Sequence, residues 1–218
     1  MNDSNIIGFF VNLFTLSETQ VNKSLYKKMK GTHIFLAEGF EDTEAIATLD
    51  VLRRAGIEVK TVSMNEDRLV TSSRGVSVLA DVMFSDIKGE AGKAGASDVM
   101  VFPGGMPGTK HLAENRDLIE LMKQHYADGG IVAAICAAPG LVASQLPDLR
   151  GKRFTCFDGF EDALIAKGAE YVKAPAVSDG NLITGRGAGC AIDFGCEIAR
   201  KLKGADAVSK VRHGMMLD

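Results

Sequence analysis

The stretch "GGIVAAICAAPG", Gly129 to Gly140, decides the fold. Its apolar run from Ile131 to Ile135 reads as a buried strand, and the small residues and Pro139 that follow open a helix with almost no loop between. A strand passing straight into a helix belongs to a βα unit, and Cys136 occupies the turn.

The alternation continues outward in both directions. Upstream, "THIFLA" (Thr32 to Ala37) is a strand, and "EDTEAIATLDVLRRAG" is a helix with acids in its first turn, arginines near its end and Gly56 as its stop. "IEVKTVS" is the next strand, "RLVTSSRGVSVLAD" a pair of short β segments around a turn at Arg74 and Gly75, and "SDVMVFPGG" a strand running into a glycine-rich loop. A helix is predicted from about Asn115 to Ala127. Downstream, "AAPGLVASQL" begins a helix, "KRFTCF" is a strand, "GFEDALIAKG" a helix, "YVKAPAVSDGNLITGRG" strands and a turn, and "CAIDFGCEIARKLKG" a helix. Such alternation specifies a mostly parallel sheet covered by helices on both faces, a doubly wound α/β domain. Ligands bind these sheets at the carboxyl ends of the strands, so "EGFEDTE", "PGGMPG", "CAAPG" and "GRGAG" are the informative loops.

Composition narrows the function. With 218 residues, 46% of them hydrophobic and 24% charged, and a net charge of -3, the chain reads as one slightly acidic globular domain. No basic face for nucleic acid is evident, and no run nears the roughly 18 apolar residues of a membrane-spanning helix. The apolar patch Ile6 to Phe14 lacks both a preceding basic flank and a following A-x-A-like site, which argues against secretion. Residues 1–28 are therefore expected to be a dispensable or disordered extension, with the α/β domain occupying 29–218 in the cytoplasm. Cys136, Cys156, Cys190 and Cys196 have no metal-ligand spacing, so free thiols and no zinc are expected.

An arbitrary cysteine is a small core hydrophobe, and Cys156, Cys190 and Cys196 are read that way. Cys136 sits instead where the crevice should lie, in the geometry of a nucleophile elbow, with Ala133, Ala134, Ala137, Ala138 and Gly140 supplying small volumes around it. The amides of the helix after it are expected to stabilise the thiolate and lower its pKa. No histidine is an evident partner. His33 is at the wrong strand end, His125 and His213 lie toward helix ends, and His111 is expected at the solvated surface. The other candidates are acids of the first βα connection: Glu44, with Glu38, Glu41 and Asp42, any of which could equally serve the helix dipole. Gly104 or Gly105, with Ala137, could donate amides to an oxyanion.

Together, "AAICAAPG", "LAEGFEDTEAIATLDVLRRAGIEV", "SRGVSVLAD", "VFPGGMPG" and "ITGRGAG" resemble the ThiJ/PfpI superfamily, specifically its DJ-one branch, from about Met29 onward. The resemblance implies a flavodoxin-like α/β sandwich, usually a homodimer. It also implies a reactive Cys136, a protonated Glu44 hydrogen-bonded to it, and oxyanion amides from Gly105 and Ala137. Two departures matter. Ala137 and Ala138 stand where protease-like relatives carry a histidine directly after the cysteine and amidotransferase-like ones a glutamine shortly downstream, and Phe157 stands where the Parkinsonism-associated member has a histidine. The implied activity is cofactor-independent glyoxalase or deglycase chemistry on small α-oxoaldehydes or their glycated adducts. A cysteine-based oxidative-stress sensor or chaperone is the alternative, and a small-amide hydrolase ranks below both.

Overall fold

The computed structural model describes residues 29–87 and 94–217, so the expected extension over 1–28 lies outside the described residues. Five parallel strands form the middle of a seven-stranded sheet: β1 (Thr32–Leu36), β2 (Val59–Ser63), β6 (Val99–Phe102), β7 (Ile131–Ile135) and β11 (Leu182–Gly185). The short β5 (Val82–Met83) extends it in parallel beside β2, and β10 (Ala176–Asp179) closes the other edge as the single antiparallel member of the sheet. The order is β10-β11-β7-β6-β1-β2-β5. This is the mostly parallel, flavodoxin-like α/β sandwich expected from the alternation of strands and helices.

Side chains of a strand alternate between faces, and two cores result. Phe35, Met100, Phe102, Val132 and Ala134 enter one; Ile34, Leu36, Val99, Val101, Ile131, Ala133 and Ile135 enter the other. The second core is covered by α1 (Asp42–Arg54), through Ala45, Val51 and Leu52, and by two helices near the C-terminus that carry Phe194, Ile198, Val208 and Val211. The first is covered by Leu112, Leu118 and Met122. Leu112 belongs to α3 (Gly108–Glu114); Leu118 and Met122 belong to α4 (Arg116–Ala127). The short α2 (Phe84–Ile87), between α1 and α3 in chain order, adds Phe84 and Ile87 to this core. A Cβ on Gly195 would lie 2.9 Å from Val51 Cβ, so a glycine is what lets the Ala191–Lys203 helix press against α1.

Several elements differ from the sequence reading. Asn115 is not the start of α4 but its cap, its side chain accepting from the Leu118 N–H at 3.0 Å. After Cys136 the helix α5 has only four residues, Ala138–Leu141, before a 3-10 turn at Ala143–Gln145. The "KRFTCF" strand reduces to β8 (Arg153–Phe154), which pairs with β9 (Glu170–Tyr171) outside the main sheet. The helix α6 is cut to Asp162–Ile165. The "RLVTSSRGVSVLAD" pair forms as read, with β3 (Leu69–Thr71) antiparallel to β4 (Ser77–Leu79). The C-terminal helices are α7 (Ala191–Lys203) and α8 (Ala205–Gly214).

Connections from β1 and β6 leave in opposite directions, to β2 and to β7, so the crevice of this sheet opens between the carboxyl ends of β1 and β6. His33 lies at the other end, buried at the start of β1, with His125 of α4 close enough to influence its charge. Burial, reinforced by Lys60, lowers the His33 pKa from 6.5 to about 4, and burial also lowers that of His125. A histidine kept neutral by the fold binds its proton more readily in the unfolded chain. Its stabilising contribution is therefore present above the unfolded value of 6.5 and lost as pH falls toward about 4. The expected outcome is a loss of about 2 kcal/mol of urea-measured stability between pH 7 and pH 5, with a shallower slope in His33→Gln. An unchanged slope in that variant would assign the acid sensitivity elsewhere.

Candidate active site

Cys136 follows the last residue of β7 with a φ of 65°, in the left-handed region that only one other described non-glycine residue, Met216, adopts. An L-residue pays about 1–2 kcal/mol there, and the surroundings hold it. The Cys136 N–H donates to the Gly185 carbonyl of β11 at 3.0 Å, and the Phe157 N–H donates to the Cys136 carbonyl at 2.9 Å. The elbow is tight as well: a Cβ on Gly140 would lie 2.2 Å from the Phe160 carbonyl oxygen. Thus the backbone turns sharply and the half-buried sulfur emerges at the strand end.

The four acids of the first βα connection separate into different roles. Glu38 accepts from Asn65 Nδ2 at 2.8 Å and from the Thr71 N–H at 3.0 Å, fastening the β3 segment. Glu41 is the N-cap of α1, its Oε2 accepting from the Glu44 N–H at 2.7 Å. Asp42 accepts from the Ser72 hydroxyl. Glu44 alone is fully buried, at 1% exposure, and it is the acid that meets Cys136.

Gly104 makes the meeting possible. Its N–H donates to Glu44 Oε2 at 2.7 Å. A Cβ at position 104 would lie 2.5 Å from Glu44 Oε2, 2.6 Å from Cys136 Cβ and 3.0 Å from Sγ. The empty volume of a glycine is thus the space through which carboxyl and thiol face each other. Glu44 Oε1 is buried with no hydrogen-bond donor of its own, which is the situation of a carboxyl oxygen suited to carrying a proton. Gly105, with a φ of 90°, packs directly on the Gly39–Glu41 backbone, bringing the loop after β6 against the loop after β1.

The electrostatics of the pair correct one expectation. Burial pushes the Glu44 carboxyl up to about 7. Burial, then the charge of Glu44, push the Cys136 thiol up to about 12, while the N–H groups of Ala137 and Gly105 pull it down. A four-residue helix and two amides do not outweigh desolvation beside a carboxylate, so the thiol is not lowered while Glu44 is ionised. The two groups titrate as one system. A proton on Glu44 removes the repelling charge and turns its carboxyl into a donor toward sulfur, the arrangement that favours the thiolate.

A cleft of about 440 Å³ opens over the pair, walled by Glu41, Ser73, Arg74, Gly105, Met106, Ala137, Phe157, Phe160 and Ala188. All four site residues named from the sequence, Cys136, Glu44, Gly105 and Ala137, therefore come together. Phe157, 52% exposed, stands at the mouth, where the sequence comparison with the DJ-one branch placed a missing imidazole, and no histidine lines the cleft. His111 instead bonds the Glu38 carbonyl through Nδ1 at 3.1 Å. Ser73 and Arg74 belong to the "SRGVSVLAD" motif, where the sequence predicts only a turn at Arg74; its return to the cleft comes from tertiary structure. Among the described residues, no group of three metal-ligating side chains could hold an ion, and no helix is long and apolar enough to cross a membrane.

Comparison with known proteins identifies similar chains over most of this sequence. Residues 30–201 match the model of the DJ-1/PfpI family. The chain is 35% identical over 188 residues to Protein dj-1beta of Drosophila melanogaster, spanning 86% of this chain and 97% of that one. It is 30% identical over 174 residues to a Caenorhabditis elegans protein named glutathione-independent glyoxalase DJR-1.2, spanning 80% and 89%. The solved structure of Toxoplasma gondii DJ-1, described as oxidized, matches with a TM-score of 0.76 at 30% identity over 85% of this chain and 97% of that chain.

The shared titration is measurable. Alkylation of Cys136 by iodoacetamide is expected to accelerate as pH rises through about 7, where the pair loses its first proton. Glu44→Gln, which cannot ionise, and Gly104→Ala, which drives carboxyl and thiol apart while keeping both, should each remove that step. A profile identical in all three proteins would show that the two groups do not titrate together.

Proposed function

The chain belongs to the DJ-1/PfpI family, and on that premise we propose that it is a cofactor-independent glyoxalase or deglycase acting through Cys136. The observation that carries this reading is a half-buried thiol and a buried carboxyl of raised pKa, joined across Gly104 beneath an open cleft. A nucleophile and a proton carrier that works near neutral pH are what addition to an aldehyde followed by proton transfer requires.

In the proposed sequence, Cys136 Sγ forms a bond to the aldehyde carbon of methylglyoxal, and the carbonyl electrons move to its oxygen. The Gly105 and Ala137 amides, already directed at the sulfur, hold that oxyanion until it takes the proton of Glu44. The Glu44 carboxylate then removes the hydrogen on the former aldehyde carbon and returns it to the neighbouring carbon, while the hydroxyl proton on the former aldehyde oxygen passes to the ketone oxygen, leaving a thioester of a 2-hydroxy acid. Water cleaves the thioester to lactate and restores the thiol. No imidazole is needed, which suits a site with Phe157 at its mouth.

The name of the C. elegans relative supports the glyoxalase reading, and the oxidized T. gondii relative favours a second one. In that second reading, peroxide converts Cys136 to a sulfinate that accepts a hydrogen bond from protonated Glu44. A homodimer in the cytoplasm remains part of the proposal. Leu69, Val76 and Leu79 are exposed apolar residues on the β3–β4 hairpin, contiguous with Arg74 at its turn, and offer a face for a second copy.

Purified protein given methylglyoxal is expected to produce lactate, with Cys136→Ala inactive and Glu44→Gln slowed by about 10²–10⁴-fold. Equal rates for wild type and Cys136→Ala would exclude the mechanism. No aldehyde turnover, combined with selective gain of two oxygens at Cys136 under graded peroxide, would favour sensing.

A further inference from the structure

We infer that Arg74 is an anion-recognition residue that makes the Cys136 cleft selective for carbonyl compounds bearing a carboxylate. The inference rests on Cys136 being the reacting group, as proposed above, and adds the class of substrate.

Arg74 lies at the turn between β3 and β4 and lines the same cleft as Cys136. Its position is held by the backbone of that turn. The Ser73 N–H donates to the Phe40 carbonyl at 2.8 Å, the Gly75 N–H to the Ser72 carbonyl at 3.1 Å, and the Val76 N–H to Ser72 Oγ at 3.0 Å. Ser72 Oγ in turn donates to Asp42 in α1. The turn is thus pinned to the loop that precedes Glu44. Its guanidinium, however, makes no hydrogen bond or ion pair with any described residue.

Neither carboxylate of the cleft forms an ion pair with it. Glu41 is engaged as the cap of α1, and the Glu44 carboxyl is buried, bonded to Gly104 and raised toward neutrality. The adjoining cleft of about 340 Å³, which shares Phe157 and Ala188 with the first, shows the contrast. Its arginine, Arg186, is spent on Asp158, with two contacts from Nη2 of 3.0 Å each. The first cleft therefore includes, with the nucleophile, an arginine whose planar fork pairs with no described residue, a chemistry that matches a carboxylate in two-point contact. A substrate with an acid group near its aldehyde would be drawn in and oriented by Arg74, whereas a neutral one would gain nothing from it.

The test uses two alkylating agents of nearly equal size, iodoacetate, which carries the carboxylate, and iodoacetamide, which is neutral. Both form the same bond to Sγ and release iodide, and the labelled Cys136 peptide is quantified by mass spectrometry in the full chain. Because both rates depend equally on the thiolate fraction at a given pH, their ratio isolates recognition of the charge. The iodoacetate-to-iodoacetamide ratio is expected to be about three- to fivefold higher in wild type than in Arg74→Gln, with Arg74→Lys in between, as suits one solvent-accessible charge pair. In wild type, without any mutation, the ratio should fall as salt is raised. Labelling by both reagents with a ratio unmoved by Arg74→Gln or by salt would overturn the assignment while leaving the reactive thiol intact. Labelling by iodoacetamide but not iodoacetate would likewise overturn the assignment, and failure of both reagents to label Cys136 would overturn the reactive-thiol reading, and this inference with it.

Discussion

The site depends on one steric constraint, the missing side chain at Gly104. A buried carboxyl is unfavourable unless it is hydrogen-bonded or protonated. Glu44 has the Gly104 N–H for Oε2 and the Cys136 thiol beside the carboxyl, while Oε1 has no donor. Any larger residue at 104 would occupy the space between Oε2 and Sγ. Burial raises the pKa of the carboxyl, and that contact is what makes the thiol depend on its charge and lets the pair share one proton.

The fold brings the contact about from three separate elements. α1 supplies Glu44, the loop after β6 supplies Gly104 and Gly105, and β7 supplies Cys136. The parallel sheet aligns the carboxyl ends of β1, β6 and β7, and the change in winding direction between β1 and β6 leaves that end uncovered. The elbow conformation of Cys136 is maintained from both sides, by β11 through Gly185 and by the segment after β8 through Phe157. The site is thus built on strands and short turns, whereas Arg74, Met106 and Phe157 form the more exposed margin of the cleft.

Much of this architecture is local and therefore readable in one dimension. Apolar runs bounded by glycine, the acids and arginines at opposite ends of α1, and the strand-to-helix step at Cys136 express periodicity and capping within a dozen residues. Where the reading overreached, neighbours were responsible. The strand after Lys152 stops at Phe154 because Thr155 bonds Thr184 and Ala174 instead of continuing the ladder with β9. The helix after Cys136 is short, so the expected depression of its thiol pKa gives way to burial and to the Glu44 carboxylate.

By itself, then, the sequence determined the α/β class, the order of most strands and helices, and a small set of candidates that included Cys136, Glu44, Gly105 and Ala137, because these are properties of short stretches of chain. From composition and position alone the four acids were equivalent, and the family resemblance singled out Glu44. Tertiary structure separated them physically, since a cap is local, three residues away, but whether a carboxylate ties a loop or is desolvated beside sulfur depends on residues 27 to 92 positions away. The same applies to Arg74, whose place beside the nucleophile arises when a hairpin turn is folded back and pinned to the start of α1. Propensity and pattern act along the chain, whereas desolvation and charge proximity act through space, and the chemistry of this site is of the second kind.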